Sequence, residues 1–144
     1  MGAAVLLERE RFRAWGRWDE DFTFGGEDLE LSHRVNQHAA VVYHPAAEII
    51  HYGRVSTRAH APYAAPHIAV GFAKYLRKTG APRFGLFFYK LATTLDAPVQ
   101  CLAKLAQFAV RRVRGQTKRA AQSLGAARAA VYFLLRGLIP FWRA

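Results

Sequence analysis

The sequence predicts an α/β unit over residues 1–60 followed by a mostly α-helical extension over residues 61–144, and three observations carry that division. Short apolar runs of strand length, bounded by Gly, Pro and charged residues, punctuate the first part. Longer apolar stripes at helical spacing dominate the second. The charge also changes sign between them. Residues 1–50 hold nine acids and five Lys/Arg, whereas residues 51–144 hold one acid, Asp96, and sixteen Lys/Arg. The formal net charge of +11 therefore averages two different surfaces.

The elements follow in order. "AAVLLE", residues 3–8, reads as a buried strand around Val5 and Leu6. "ERERFRAWG" is a short helical turn closed by Gly16, and "RWDEDFTFGG" is a loop. A helix is expected from Glu27 to about Gln37, with Glu27 and Asp28 in its first turn, where the helix dipole favours carboxylates. "VVYHP" and "AEIIHY" read as two short strands around Pro45, and "GRVSTRAHAP" as a loop. A helix begins near Pro66 and ends at Gly80, with Ile68, Phe72 and Tyr75 on one face. "RFGLFFYKLATTLD" predicts a helix broken before Pro98. The next one carries a stripe of Leu102, Leu105, Ala106, Ala109 and Val113 and ends in Arg111, Arg112 and Arg114 ahead of Gly115. A last helix covers about Thr117 to Leu138.

Composition sets outer bounds. A length of 144 residues suits one ordinary domain, and 52% apolar residues argue against disorder. The single cysteine, Cys101, excludes an intramolecular disulfide and a cysteine-based zinc site, and suits a reducing compartment. The first residues lack the basic start and apolar run of a signal peptide. Leu6 stands where a myristoylation signal needs Ser or Thr. The nearest approach to a membrane span, Leu124 to Trp142, is interrupted by Arg128 and Arg136. The expected location is cytoplasmic, or peripheral on the cytoplasmic membrane face. The six histidines show no ligand spacing on one helix face.

Four features of the first part occur in a fixed order: the apolar run, a G-x-W-D-E-x-F loop (Gly16 to Phe22), an E-D-x-E-L-x-x-R helix start (Glu27 to Arg34), and a run ending in His51 with G-x-x-S behind it. Together they resemble the C-terminal half of the catalytic domain of family 2 glycosyltransferases, inverting enzymes of the GT-A fold, over residues 2 to about 80. The resemblance implies transfer of a sugar from a nucleotide-sugar donor to a glycan or lipid-linked acceptor. It implies Asp28 as the general base that takes the acceptor proton, with Glu27 orienting the acceptor. Trp18 and Asp19 would bind the acceptor, the ring by stacking and the carboxylate by hydrogen bonds. His51 would be a late ligand of a divalent metal, Mn²⁺ or Mg²⁺, and Arg54, Ser56 and Arg58 would meet the diphosphate. The sequence departs from the family at several points, including Ala39 and Ala40 where a Gly often ends the helix. No Asp-x-Asp precedes the match, Arg17 replaces a usual Gly, and Glu30 replaces the commoner Asp. Activity is thus expected to need the missing N-terminal half that supplies the nucleotide pocket, from a complementary partner chain, a neighbouring reading frame or a longer start.

Simpler readings stand beside these. Glu27 and Asp28 can serve only to cap and compensate a helix, and Asp19 to Asp21 can form a solvated turn. His51 can be an ordinary strand histidine. The basic tail can simply be a solvated helical bundle covering the first part; its preferred functional reading is a pair of amphipathic helices for an anionic membrane surface, ahead of nucleic acid, because the cations accompany apolar stripes and no nucleic-acid module is present. The alternative function is accordingly a non-enzymatic, membrane-peripheral or assembly protein.

Overall fold

A computed structural model describes residues 4–53 and 60–144. The helices are α1 (Arg9–Ala14), α2 (Glu27–Asn36), α3 (Ala61–Lys78), α4 (Arg83–Val113), α5 (Thr117–Tyr132) and α6 (Leu138–Arg143), with a π-turn (Phe133–Gly137) joining the last two. Every element assigned among the described residues is helical. The expected α/β fold, and with it the partial GT-A unit, is therefore corrected to an all-helical one.

The physical reason lies in how each structure satisfies its backbone. A helix closes its hydrogen bonds within one segment, whereas a strand needs a partner along its edge. Residues 4–7, 40–44 and 47–53 have the composition of strands but find no such partner among the described residues. The side chains of Val42, Tyr43, Ile50 and Tyr52 are exposed instead of lining a sheet face. Composition alone predicts a β preference; pairing realises it.

The helices the periodicity predicts are present, with shifted boundaries. α2 covers Glu27–Asn36. α3 starts one turn earlier than Pro66, which sits buried inside it. The two helices expected around Pro98 are one continuous helix of 31 residues, α4. Its proline lies on the exposed side, and lost ladder bonds there are open to water.

α4 turns back at Gly115 into the α5–α6 rod, and side-chain bonds mark the antiparallel register at both ends. At the tip, Arg111 Nη1 donates to Ser123 Oγ (2.7 Å) and to the Arg119 carbonyl (3.3 Å). At the open end, Lys90 Nζ donates to the Trp142 carbonyl (3.1 Å) and Trp142 Nε1 to Thr94 Oγ1 (3.1 Å). α3 packs against this hairpin. The core comprises Ala73, Ala97, Phe133, Phe141 and Ala144, with Val70, Leu86, Tyr89 and Leu138 around it. Small residues of α5, Ala120, Ser123 and Ala127, let the rod approach its neighbours closely.

Candidate functional site

The residues singled out in the first part of the chain are held by two devices. The first is Arg34. Its Nε and Nη2 form a fork on the Glu30 carboxylate (2.9 and 2.7 Å), Nη2 also donates to the Arg17 carbonyl (2.8 Å), and Nη1 donates to the Trp15 carbonyl. One guanidinium therefore ties the loop after α1 to α2, as its planar donors suit it to do. The bond to Glu30 is the chief reason that Arg34 is held even more firmly protonated than usual. Half of the E-D-x-E-L-x-x-R motif, Glu30 and Arg34, is thus a structural pair at i,i+4 spacing.

The second device is a backbone crossing. Gly25 and Gly26 both have left-handed backbone, with φ of +82° and +91°, and they lie directly on Gly71 of α3. This places the first turn of α2, with Glu27 and Asp28, against the middle of α3. Asp28 Oδ1 accepts the Leu29 N–H (3.0 Å). Glu27 Oε2 is buried and has no hydrogen-bond partner among the described residues. A buried carboxylate oxygen without a donor is costly.

Lys78 of α3 completes the docking by bridging Asp19 and Asp21, and it also lies 5.5 Å from the centre of the Phe22 ring. Burial disfavours the Asp19 anion, but the Lys78 bond, the Asp21 N–H and the charges of Lys78 and Arg34 outweigh it. They hold the carboxyl below its ordinary value. Burial likewise opposes the Lys78 cation, and the two carboxylates overcome it and raise its pKa. The turn from Asp19 to Asp21, expected to be solvated, is in part an ion-pair anchor.

Trp18, 47% exposed, and Asp19 line an open groove of about 760 Å³ together with Phe12, Trp15, Glu20 and Arg34. Trp15 is stacked on His38 at 5.5 Å, and Phe12 meets Trp18 edge-on at 6.1 Å. Glu27 and Asp28 do not line this groove, so the structure separates the expected acceptor residues from the expected base. His51 is exposed in a segment without assigned structure. Among the described residues no three His, Cys, Asp or Glu side chains gather as a metal site. Arg54, Ser56 and Arg58 lie outside the described residues.

No family model, curated protein or solved structure matches the chain. Together with the all-helical architecture, this corrects the resemblance to family 2 glycosyltransferases: the ordered motifs stand without a matching fold or relative behind them.

Two features in the helical part escape residue-by-residue reading. Along α4, Phe84, Phe88, Ala92, Leu95, Val99, Leu102, Ala106, Ala109 and Val113 recur at three- and four-residue steps and are all exposed. No charged residue interrupts their face, which runs for about 44 Å at 1.5 Å per residue. Trp142 of α6 adjoins it through Phe87 at 6.0 Å. The stripe is legible in sequence once Pro98 is carried through the helix. At the hairpin tip, Arg111, Arg112, Arg114, Lys118 and Arg119 fall within nine residues. The second feature is a basic cleft between α3 and the α5–α6 rod, onto which Lys74, Arg77, Arg136 and Arg143 open. Each pair has same-face spacing, but only the packing of α3 on the rod brings the pairs together.

Proposed function

We propose that this chain works on the surface of an anionic membrane, with α4 lying in the interface. The uninterrupted apolar face of α4 carries this reading. An apolar face exposed along a 31-residue helix is costly in water and is covered at a lipid boundary, and the basic tip supplies the attraction to acidic headgroups. The α5–α6 rod, Thr117–Arg143, is long and apolar enough to cross a membrane by length and composition. Its inner face already packs on α3 and α4 through Ala120, Ala127, Phe133 and Phe141, and Arg128 and Arg136 interrupt it. These features favour lying on the membrane over spanning it.

The test is co-sedimentation with vesicles containing acidic phospholipid. The chain is expected to pellet at low salt and to be released in large part by about 0.5 M salt, as screening shortens the reach of the cations. Failure to pellet at low salt, or self-association of the free chain that hides the stripe, would refute the membrane reading.

A second reading concerns what is done at that surface: inverting transfer of a sugar from a nucleotide-sugar donor to a glycan or lipid-linked acceptor. The orphaned Glu27 oxygen beside Asp28 favours it, because an acceptor hydroxyl is the donor such a corner lacks. Reaching Oε2 requires Glu27 to rotate, since the atom is out of contact with solvent. Asp28 would take the hydroxyl proton while the acceptor oxygen bonds to the anomeric carbon and the nucleoside diphosphate leaves. The donor set among the described residues does not fit a divalent metal, so no step is assigned to one; Mn²⁺ or Mg²⁺ would need carboxylates from a complementary chain. Asp28→Asn is expected to lower product formation from a panel of nucleotide sugars at least about 100-fold. The comparison is made with the chain reconstituted with the complementary N-terminal half; equal product from the variant there, or none from the reconstituted wild type, sinks this reading.

A further inference from the structure

We propose that the cleft between α3 and the α5–α6 rod is a binding site for a phosphate group, a phosphomonoester or a diphosphate. It holds about 340 Å³. Lys74 and Arg77 reach it from α3, Arg136 from the π-turn and Arg143 from α6. Among the described residues none of the four pairs with a carboxylate. Lys74 donates to the Asp21 carbonyl and Arg77 Nη1 to the Arg143 carbonyl (3.2 Å), contacts that aim the cations without neutralising them. The side chains of Arg136 and Arg143 have no hydrogen-bond partner among the described residues.

Four cations drawn from three elements into one cleft repel one another, and the fold supplies little to offset them. The one acid after residue 60, Asp96, bonds Gln100 on α4 and does not line the cleft. Even with the carboxylate of Ala144 counted, the cleft keeps a clear positive excess. The field reaches the buried Lys90 beside it: burial is the main reason that its pKa is lowered, and repulsion from Arg77 adds to it.

The ligand chemistry follows from the donors. Three guanidinium groups offer planar forks, which suit the several oxygens of a phosphate better than a single carboxylate. The charge of a phosphomonoester or diphosphate comes near to matching the excess. Val70, Pro66 and Pro140 add apolar surface to the lining, so the site suits a phosphate attached to a larger apolar or neutral body. That body is either a lipid, which deepens the membrane reading, or a soluble molecule, which is independent of it.

The full chain would be titrated with inorganic phosphate and with pyrophosphate by calorimetry. It would then be sedimented with vesicles bearing either phosphatidic acid or phosphatidylserine at matched surface charge. Arg136→Gln/Arg143→Gln is compared with Arg9→Gln/Arg13→Gln, which removes the same charge from α1. A cleft that binds phosphate gives pyrophosphate affinity that falls at least tenfold in the first variant and stays within twofold in the second. If its ligand is a lipid, the wild type also prefers phosphatidic acid, and the first variant loses that preference. Pyrophosphate binding without a lipid preference assigns the site to a soluble ligand. Absence of both, or equal loss in the two variants, overturns the proposal. Should the first variant fail to fold, the single variant Arg136→Gln takes its place against Arg9→Gln, with the same outcomes, and the titration is readable even if no vesicle binding occurs.

Discussion

Replacing Leu95 and Leu102 together by glutamine is expected to weaken binding to acidic vesicles by about 100-fold while leaving the fold intact. Leu95 is 62% exposed and Leu102 is 69% exposed, so neither fills the core, and glutamine keeps a good helix propensity. A leucine taken fully out of water is worth roughly 1.5–3 kcal/mol. These two are already partly covered and would enter the interface only in part, so about 1.4 kcal/mol each is a fair share, or tenfold per site. The net charge is unchanged, so electrostatic attraction is held constant. Vesicle partitioning measured beside helix content by circular dichroism separates the outcomes. A variant that pellets like the wild type would remove α4 from the interface.

Gly71→Ala is expected to detach the first part of the chain from α3, at a cost of about 3 kcal/mol or more. A Cβ at Gly71 would fall on the Gly25 carbonyl oxygen, 2.7 Å from its carbon and 3.1 Å from the Phe24 carbonyl oxygen. These are backbone atoms, so no side-chain rotation relieves the overlap. Helix propensity alone predicts the opposite sign, because alanine is about 1 kcal/mol better than glycine in a helix interior. The sign of the effect therefore tests the crossing itself. Hydrogen exchange should show lost protection in α2 with α4 and α5 little changed, since the hairpin does not use Gly71. Stabilised or unchanged α2 amides would refute the crossing. Detachment would also free the Lys78 bridge to Asp19 and Asp21 and displace the Glu27–Asp28 corner.

The amphipathic helices were legible because their signal is local. Leu31 and Val35 of α2, and Ile68, Phe72 and Tyr75 of α3, repeat at helical spacing, and that repeat is written in one segment. Pro98 misleads when read alone. Proline removes one ladder bond, and packing of the flanking turns, with Ala97 buried and Lys90 tied to the Trp142 carbonyl, keeps α4 continuous through it. The runs around Val42 and Ile50 mislead in the other direction, since a strand's energy resides in a partner that its own letters do not supply. At the candidate site, the i,i+4 spacing of Glu30 and Arg34 was readable as a pair. The Trp15 and Arg17 carbonyls that Arg34 also holds were not, because they are 19 and 17 residues away.

By itself, then, the sequence determined most of the helical segments, the apolar stripe from Leu102 to Val113, the reversal of charge near residue 50 and the acids at the start of α2; that the stripe runs unbroken from Phe84 through Pro98 was decided by packing. All of these follow from spacing and composition within one stretch of chain. Only the tertiary structure decided that the short apolar runs form no sheet among the described residues, that three glycines let a loop rest on α3, and that Lys74 and Arg77 share a cleft with Arg136 and Arg143. Those outcomes depend on which distant segments meet. Close approach, strand pairing and charge convergence are energies between segments, and they take a value only once the helices are packed.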